Sequence, residues 1–329
     1  MKNAYIVFEN NFLSQFAARS TQSMGRLKPV SPCAIRTEFQ RDRDRILHSK
    51  AFRRLKHKTQ VFLSPHGDHY RTRLTHTLEV TQIARTISRA LLLNEDLTEA
   101  IGMGHDLGHT PFGHIGERTL ASLTGHFKHN EQSLRVVDLI ENEGAGLNLT
   151  FEVRDGILNH CIDGNPATLE GAVVSISDRI AYINHDIDDA IRGGLLIESD
   201  IPESIIRLIG NRRGNMIDAF VNDVITTSYN TTEIKQSEPF KIALTNLRAF
   251  MFERVYANPF AIATEKKATR LLTLLFNYYM ENIDAVPIPY RKQTTEKKIF
   301  IADYIAGMTD NFAIKAFNDI FIPRSWESL

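Results

Sequence analysis

The histidine–aspartate pair His105-Asp106 restricts the fold of this chain more than any other feature, because its side chains gain a shared task only if distant segments are brought to them. The pair lies in the sixteen residues Gly102–Glu117, which also hold His109, His114 and Glu117. His76 stands upstream and Asp178 downstream, so two imidazoles and two carboxylates occur in the order His, His-Asp, Asp. Such a donor set suits one hard or borderline divalent ion, and an octahedral ion has more positions than four side chains fill. Free positions mean water activation or phosphate binding. A lone His-Asp dipeptide is usually a surface pair; the whole ordered set is far more specific.

The segments that must converge all carry a helical period. From Tyr70 to Leu93 the apolar residues Leu74, Leu78, Ile83, Ile87 and Leu91 recur every four or five positions without a proline, as expected for a buried helix bearing His76. Asn94 reads as an N-cap with Glu95 and Asp96 in the first turn, opening a helix that delivers His105-Asp106 near its end, with Gly108 and Pro111 as stop signals. Val173, Ile176, Ile180, Ile183, Ile187 and Ala190 form a third stripe over about 169–191, which Gly193-Gly194 ends. Strand signals are sparse: Lys58 to Phe62 favours extended backbone, and Gly144 to Phe151 reads as a turn with a brief extended piece. An all-α fold is expected. Ile217 to Ile234 reads as a helix followed by a loop, and Leu271–Met280 and Phe300–Met308 as later helices. A softer boundary lies at Gly193–Pro202, and the expected organisation is a basic substrate-binding N-terminal segment over 1–67, a metal-binding core over 68–195 and a helical region packed on it over 196–329.

With 329 residues, 43% of them apolar, the chain can bury a sizeable core, and a formal net charge of zero offers no global field toward nucleic acid or membrane. The local distribution is uneven. Between Arg26 and Lys58 eleven basic residues face three acids. Such a run is usually a solvated helix face, although a polyphosphate or a nucleic acid strand would also call for it. Cys33 and Cys161 are the two cysteines, which gives no disulfide framework. Glu9 breaks the first apolar run too early for a signal peptide, and no apolar stretch approaches membrane-spanning length. A cytoplasmic location is expected.

His114 and Glu117 are one helical turn apart, a spacing that lets the carboxylate orient the imidazole and stabilise its charged form. A histidine so paired can shuttle protons. His109 follows His105 by four, but no Glu follows the first histidine and Gly108 with Pro111 interrupts the helix, so this is not a zincin motif. Asp178, Tyr182, His185 and Asp186 share one face of their helix. For Asp186, Asp188 and Asp189 alone, a charged helix edge would suffice.

Taken together, these residues resemble the HD-domain superfamily of metal-dependent phosphohydrolases and, more closely, the deoxynucleoside triphosphate triphosphohydrolases. The resemblance rests on the ordered metal set, on 36–49, on 51–62, on His105–Glu117 and on 303–310, and it extends from about Arg19 to Asp310. It implies an HD-domain helical fold and one divalent ion (Mn, Mg, Fe, Co, Ni or Zn) on His76, His105, Asp106 and Asp178. It further implies His114 and Glu117 as catalytic groups, the direction of proton transfer being open. Arg73, His109 and Arg179 would meet phosphates, and His129, in a stretch whose alignment is uncertain by one residue, would lie near the substrate. Gln60 would hydrogen-bond the sugar 3′-hydroxyl, and Tyr182 and Asp186 would meet the deoxyribose. The implied reaction turns a deoxynucleoside triphosphate, dGTP-like, into deoxynucleoside and inorganic triphosphate. Implied partners are that substrate, a homo-oligomeric copy, and a dNTP or single-stranded DNA effector, with no membrane. Two rivals stand beside this reading: an HD-type phosphomonoesterase or phosphodiesterase, and a nucleotide or single-strand sensor using the basic run.

Overall fold

Capping residues set the helices that carry the site. In the computed structural model, which describes residues 2–60, 71–210, 213–256 and 259–323, the first half of the chain forms α1 (Lys2–Phe12), α2 (Glu38–Leu47), α3 (Lys50–Arg54), α4 (Arg73–Ala90), α5 (Glu95–Gly104), α6 (His114–Thr124), α7 (His129–Arg135), α8 (Glu141–Gly144) and α9 (Phe151–Leu158). Next come α10 (Leu169–Arg192), α11 (Glu203–Ile209), α12 (Arg213–Ser228), α13 (Glu238–Met251), α14 (Pro259–Glu281), α15 (Ile288–Arg291), α16 (Lys297–Ala306) and α17 (Asp310–Phe321). Thr72, Asn94 and Thr168 each accept the amide three residues on, which satisfies an otherwise orphaned donor at the starts of α4, α5 and α10. Gly193 ends α10, as its sequence suggests.

The fold is all-α. Among the described residues no strand forms, and the two extended pairings, Arg26 with Thr150 and Thr59 with Thr72, are isolated antiparallel bridges. The extended piece expected from Lys58 is thus one bridge at Thr59; Val61 and Phe62, like Tyr70, lie outside the described residues.

Two expectations need correction. Leu78 does not join the core face of α4 but is 46% exposed, and the buried stripe is Val80, Ile83, Ala84 and Ile87. The cause is angular: at about 100° per residue, Leu78 points roughly 200° away from the buried His76, so intervals of four and five cannot be chained through both. Gly108 is not what stops α5, which ends at Gly104 with His105 as its C-cap. Its amide donates to Ser133 Oγ at 2.8 Å, and a Cβ there would collide with the backbone of Gln132 and Ser133. The glycine lets the loop after α5 press against α7.

Two apolar clusters organise the packing. The larger joins residues of α2, α4, α5, α9, α10, α12 and α13, including Phe39, Ile87, Ile101, Ile157, Ile180, Phe220 and Leu247. The smaller joins α14, α16 and α17 with Phe112 and Leu120, which flank the start of α6. His105 and Asp178 therefore belong to helices of the first cluster, whereas His114 and Glu117 ride on a helix backed by the second.

The basic run is largely engaged inside the chain. Arg26 pairs with Glu38 and Asp42, Arg36 with Asp44, and Arg43 with Asp44 and Glu99. Arg45 donates to the carbonyls of Leu147 and Asn148. Lys58 is buried on the carbonyls of His109 and Ala306, and burial pushes its pKa down to about 7. No helix among the described residues is long and apolar enough to cross a membrane.

Candidate active site

The three segments converge. His76 comes from the second turn of α4, His105 and Asp106 from the end of α5, and Asp178 from the middle of α10. His76 Nε2 lies 3.0 Å from Asp178 Oδ1 and 3.9 Å from Asp106 Oδ2. His105 Nε2 lies 3.5 Å from Asp106 Oδ1 and 3.8 Å from Asp178 Oδ1. One donor atom each from His76, His105 and Asp178 falls in a single compact group. His105 is fully buried, its Nδ1 is anchored 2.7 Å from the Gly102 carbonyl, and its Nε2 has no hydrogen-bond partner. A buried ring nitrogen so oriented fits a metal ligand, since ligating histidines fix the ring through the other nitrogen. The two-nitrogen, carboxylate-rich donor set also fits a divalent ion.

Asp106 is held from two further sides. Arg73, buried in the first turn of α4, places its guanidinium 2.9 Å from Oδ2, and His109 Nε2 lies 3.1 Å from Oδ1. Burial alone would raise the Asp106 carboxyl, but His105, His109 and Arg73 together hold it well below the usual range. Burial, aided by the Arg73 charge, lowers His109 far below an ordinary imidazole.

A second group adjoins the first. Glu117 Oε2 lies 3.0 Å from His114 Nδ1, and Glu117 Oε1 accepts the His129 amide at 2.8 Å and lies 3.0 Å from His129 Nδ1. One carboxylate therefore orients two imidazoles. Against the cost of burial, these hydrogen bonds and the charge of His129 push Glu117 far down. Burial opposes charging of His129 as well, yet hydrogen bonds to Cys161 and Glu117 raise it to about 10. The His129 ring stacks on His109, with centroids 4.1 Å apart and planes at 16°, which links the two groups. His114 is the solvent-facing member, its side chain 66% exposed.

The residues expected around the sugar are less gathered. Gln60 comes to the Gly113 side: its carbonyl and the Arg73 guanidinium lie 3.3 Å and 3.1 Å from where a Gly113 Cβ would sit. Gly113, at φ +58°, starts α6. Gln60 Oε1 is buried without a hydrogen-bond partner. Tyr182 and Asp186 follow Asp178 by one and two turns of α10. Asp186 accepts the Tyr256 hydroxyl, and burial raises its pKa to about 7. Arg179 is half-buried and donates from Nε to the Ser175 carbonyl at 3.2 Å.

Sequence reasoning gave no site role to His160, Cys161 and Tyr256, and placed His185 on the helix face of Asp178 without a partner. His160 and Cys161 stand against His129, His185 Nδ1 lies 3.3 Å from His76 Nδ1, and Tyr256 covers Asp186. The adjacent His160-Cys161 pair was the one available signal; Tyr256 is joined to α10 only by tertiary packing.

These helices and this convergent donor set define a hydrolase of the HD type: the HD domain family matches residues 73–183, and the phosphohydrolase-associated domain family matches 234–319. Three relatives, each described as a deoxyguanosinetriphosphate triphosphohydrolase-like protein, align along nearly the whole chain. That of Caldanaerobacter subterraneus subsp. tengcongensis is 57% identical over 97% of this chain and 95% of its own. That of Desulfatibacillum aliphaticivorans is 49% identical over 96% of each, and that of Clostridium tetani 48% over 93% and 92%. The chain belongs to the HD-domain, deoxyguanosinetriphosphate triphosphohydrolase-like family.

Proposed function

We propose that this chain hydrolyses a deoxynucleoside triphosphate, dGTP or a close analogue, to the deoxynucleoside and inorganic triphosphate. The observation that carries the reading is the juxtaposition of the His76, His105, Asp106 and Asp178 donors with a carboxylate that orients two imidazoles. His76, His105, Asp106 and Asp178 would hold a divalent ion, which would supply Lewis-acid polarisation and charge neutralisation at the phosphates. Arg73 and His109 steady Asp106 and offer hydrogen bonds to phosphate oxygens beside it. Glu117 orients His114, whose exposed ring exchanges protons with water or with the departing ribose oxygen. Tyr182 packs toward the sugar and excludes a 2′-hydroxyl, while Gln60 and Asp186 serve its 3′-hydroxyl; Arg179 reaches phosphate. The relatives' names support the substrate class. A homo-oligomer and a nucleotide or single-stranded DNA effector belong to the same proposal, as does action in the cytoplasm.

Phosphorus NMR of a dGTP digest with Mg or Mn tests it. Inorganic triphosphate as the phosphorus product is expected. Pyrophosphate with dGMP, or release of single phosphates, would replace this reading with one of a pyrophosphatase or phosphomonoesterase.

A further inference from the structure

The histidine that buttresses Glu117 has a second ring nitrogen, and that nitrogen meets the His160-Cys161 pair. His129 Nε2 lies 3.3 Å from His160 Nε2 and 3.4 Å from Cys161 Sγ, and His160 Nε2 lies 3.8 Å from the same sulfur. For tetrahedral zinc with bonds of about 2.0–2.1 Å to nitrogen and about 2.3 Å to sulfur, the N–N edge is roughly 3.3 Å and the N–S edge roughly 3.6 Å. The three edges, 3.3, 3.4 and 3.8 Å, fall within about 0.2 Å of those figures. Both rings are also fixed from behind. His129 Nδ1 lies 3.0 Å from Glu117 Oε1, and His160 Nδ1 lies 2.7 Å from the Ile157 carbonyl, so each far nitrogen has the carboxylate or carbonyl partner found behind zinc-ligating histidines. His160 is 2% exposed, and without an ion the three donor atoms have one another as partners.

We propose that His129, His160 and Cys161 form a second metal site, for a thiophilic divalent ion of the zinc class, distinct from the site on His76, His105, Asp106 and Asp178. Sulfur separates the two by chemistry: a thiolate donor favours zinc-like ions, whereas the carboxylate-bearing set accepts manganese or magnesium. Three protein donors leave one tetrahedral position to water or a ligand. Because binding displaces the protons on sulfur and on Nε2, an ion here holds His129 as a neutral ligand while its bond to Glu117 persists. The two sites thus share a wall, and filling the second changes the charge beside Glu117.

Cobalt(II) titration of the full chain tests the proposal without reference to any hydrolytic activity, so its failure would leave the proposed reaction untouched. A thiolate-to-cobalt charge-transfer absorption in the near ultraviolet is expected in the wild-type protein and in Cys33→Ser, and its loss in Cys161→Ser. Wild type should also retain about one zinc equivalent more than Cys161→Ser. The band should persist in a folded His105→Ala, verified by circular dichroism. Absence of the band from wild type, its survival in Cys161→Ser, or its loss in folded His105→Ala would overturn the assignment.

Discussion

The candidate ion-binding set around His105 and the carboxylate-centred set around Glu117 use the same residue types and touch through the His109–His129 stack, yet His105 and His129 are driven in opposite directions. His105 is fully buried and His129 partly so, and burial lowers His105 despite Asp106 and Asp178. In His129 the same penalty is overcome, because Cys161 and Glu117 each hydrogen-bond the ring. Hydrogen-bond partners reverse at His129 the direction in which burial pushes both rings. A buried imidazole with an orphaned Nε2 suits a metal, and the exposed His114 ring, oriented by Glu117, suits proton chemistry. In the proposed reaction the neighbouring sites would divide charge neutralisation from proton movement.

Removing a ligand should break this division most severely. His105→Ala is expected to lose bound divalent ion and to lower dNTP turnover by about a thousandfold or more, as the ion contributes several kcal/mol. Metal analysis and steady-state rates check it together. His114→Ala should cost roughly a hundredfold, the usual weight of a general acid or base, with the ion still bound. Glu117→Gln should act in the same direction more mildly, at about tenfold, because both rings remain while their shared charge is gone.

The smallest effect lies at the far end of α10. Asp186 has its pKa raised to about 7 by burial, even though the Tyr256 hydroxyl donates to it. An acid raised in the folded state favours folding most below its unfolded pKa of about 3.9, and that stability is lost as pH climbs to about 7. Asp186→Asn removes this slope while keeping an oxygen for Tyr256. Its Tm should equal that of wild type near pH 4 and exceed it by at least about 2 °C at pH 8. An equal Tm at both pH values would mean that Asp186 is not held protonated.

The helices of the ion-binding set were legible because their signals are local. Asn94 caps α5, Gly193 closes α10, and the period of Val173 to Ala190 follows one face through twenty-four residues of helix. Leu78 misled because an apolar residue can face water, and only the three-dimensional angle to His76 tells which leucine is buried. The Glu117 set was half legible. His114 and Glu117 are a turn apart, but His129, His160 and Cys161 reach them across loops and separate helices, where no spacing rule operates. The partners of the basic run were illegible for a similar reason: Arg26 reaches Glu38 on α2, and Arg43 pairs with Asp44 on its own helix and with Glu99 on another. Asp186 with Tyr256 depends wholly on a distant helix end.

The most direct test of the division between the two groups counts Mn2+ and turnover on the same three proteins. Manganese is chosen because it avoids thiolate and so reports ions held without Cys161. By electron paramagnetic resonance titration, wild type and His114→Ala should bind Mn2+ equally while only wild type turns over dGTP at full rate, and His105→Ala should lose both. Equal loss of Mn2+ in His114→Ala, or full binding and turnover in His105→Ala, would contradict the account.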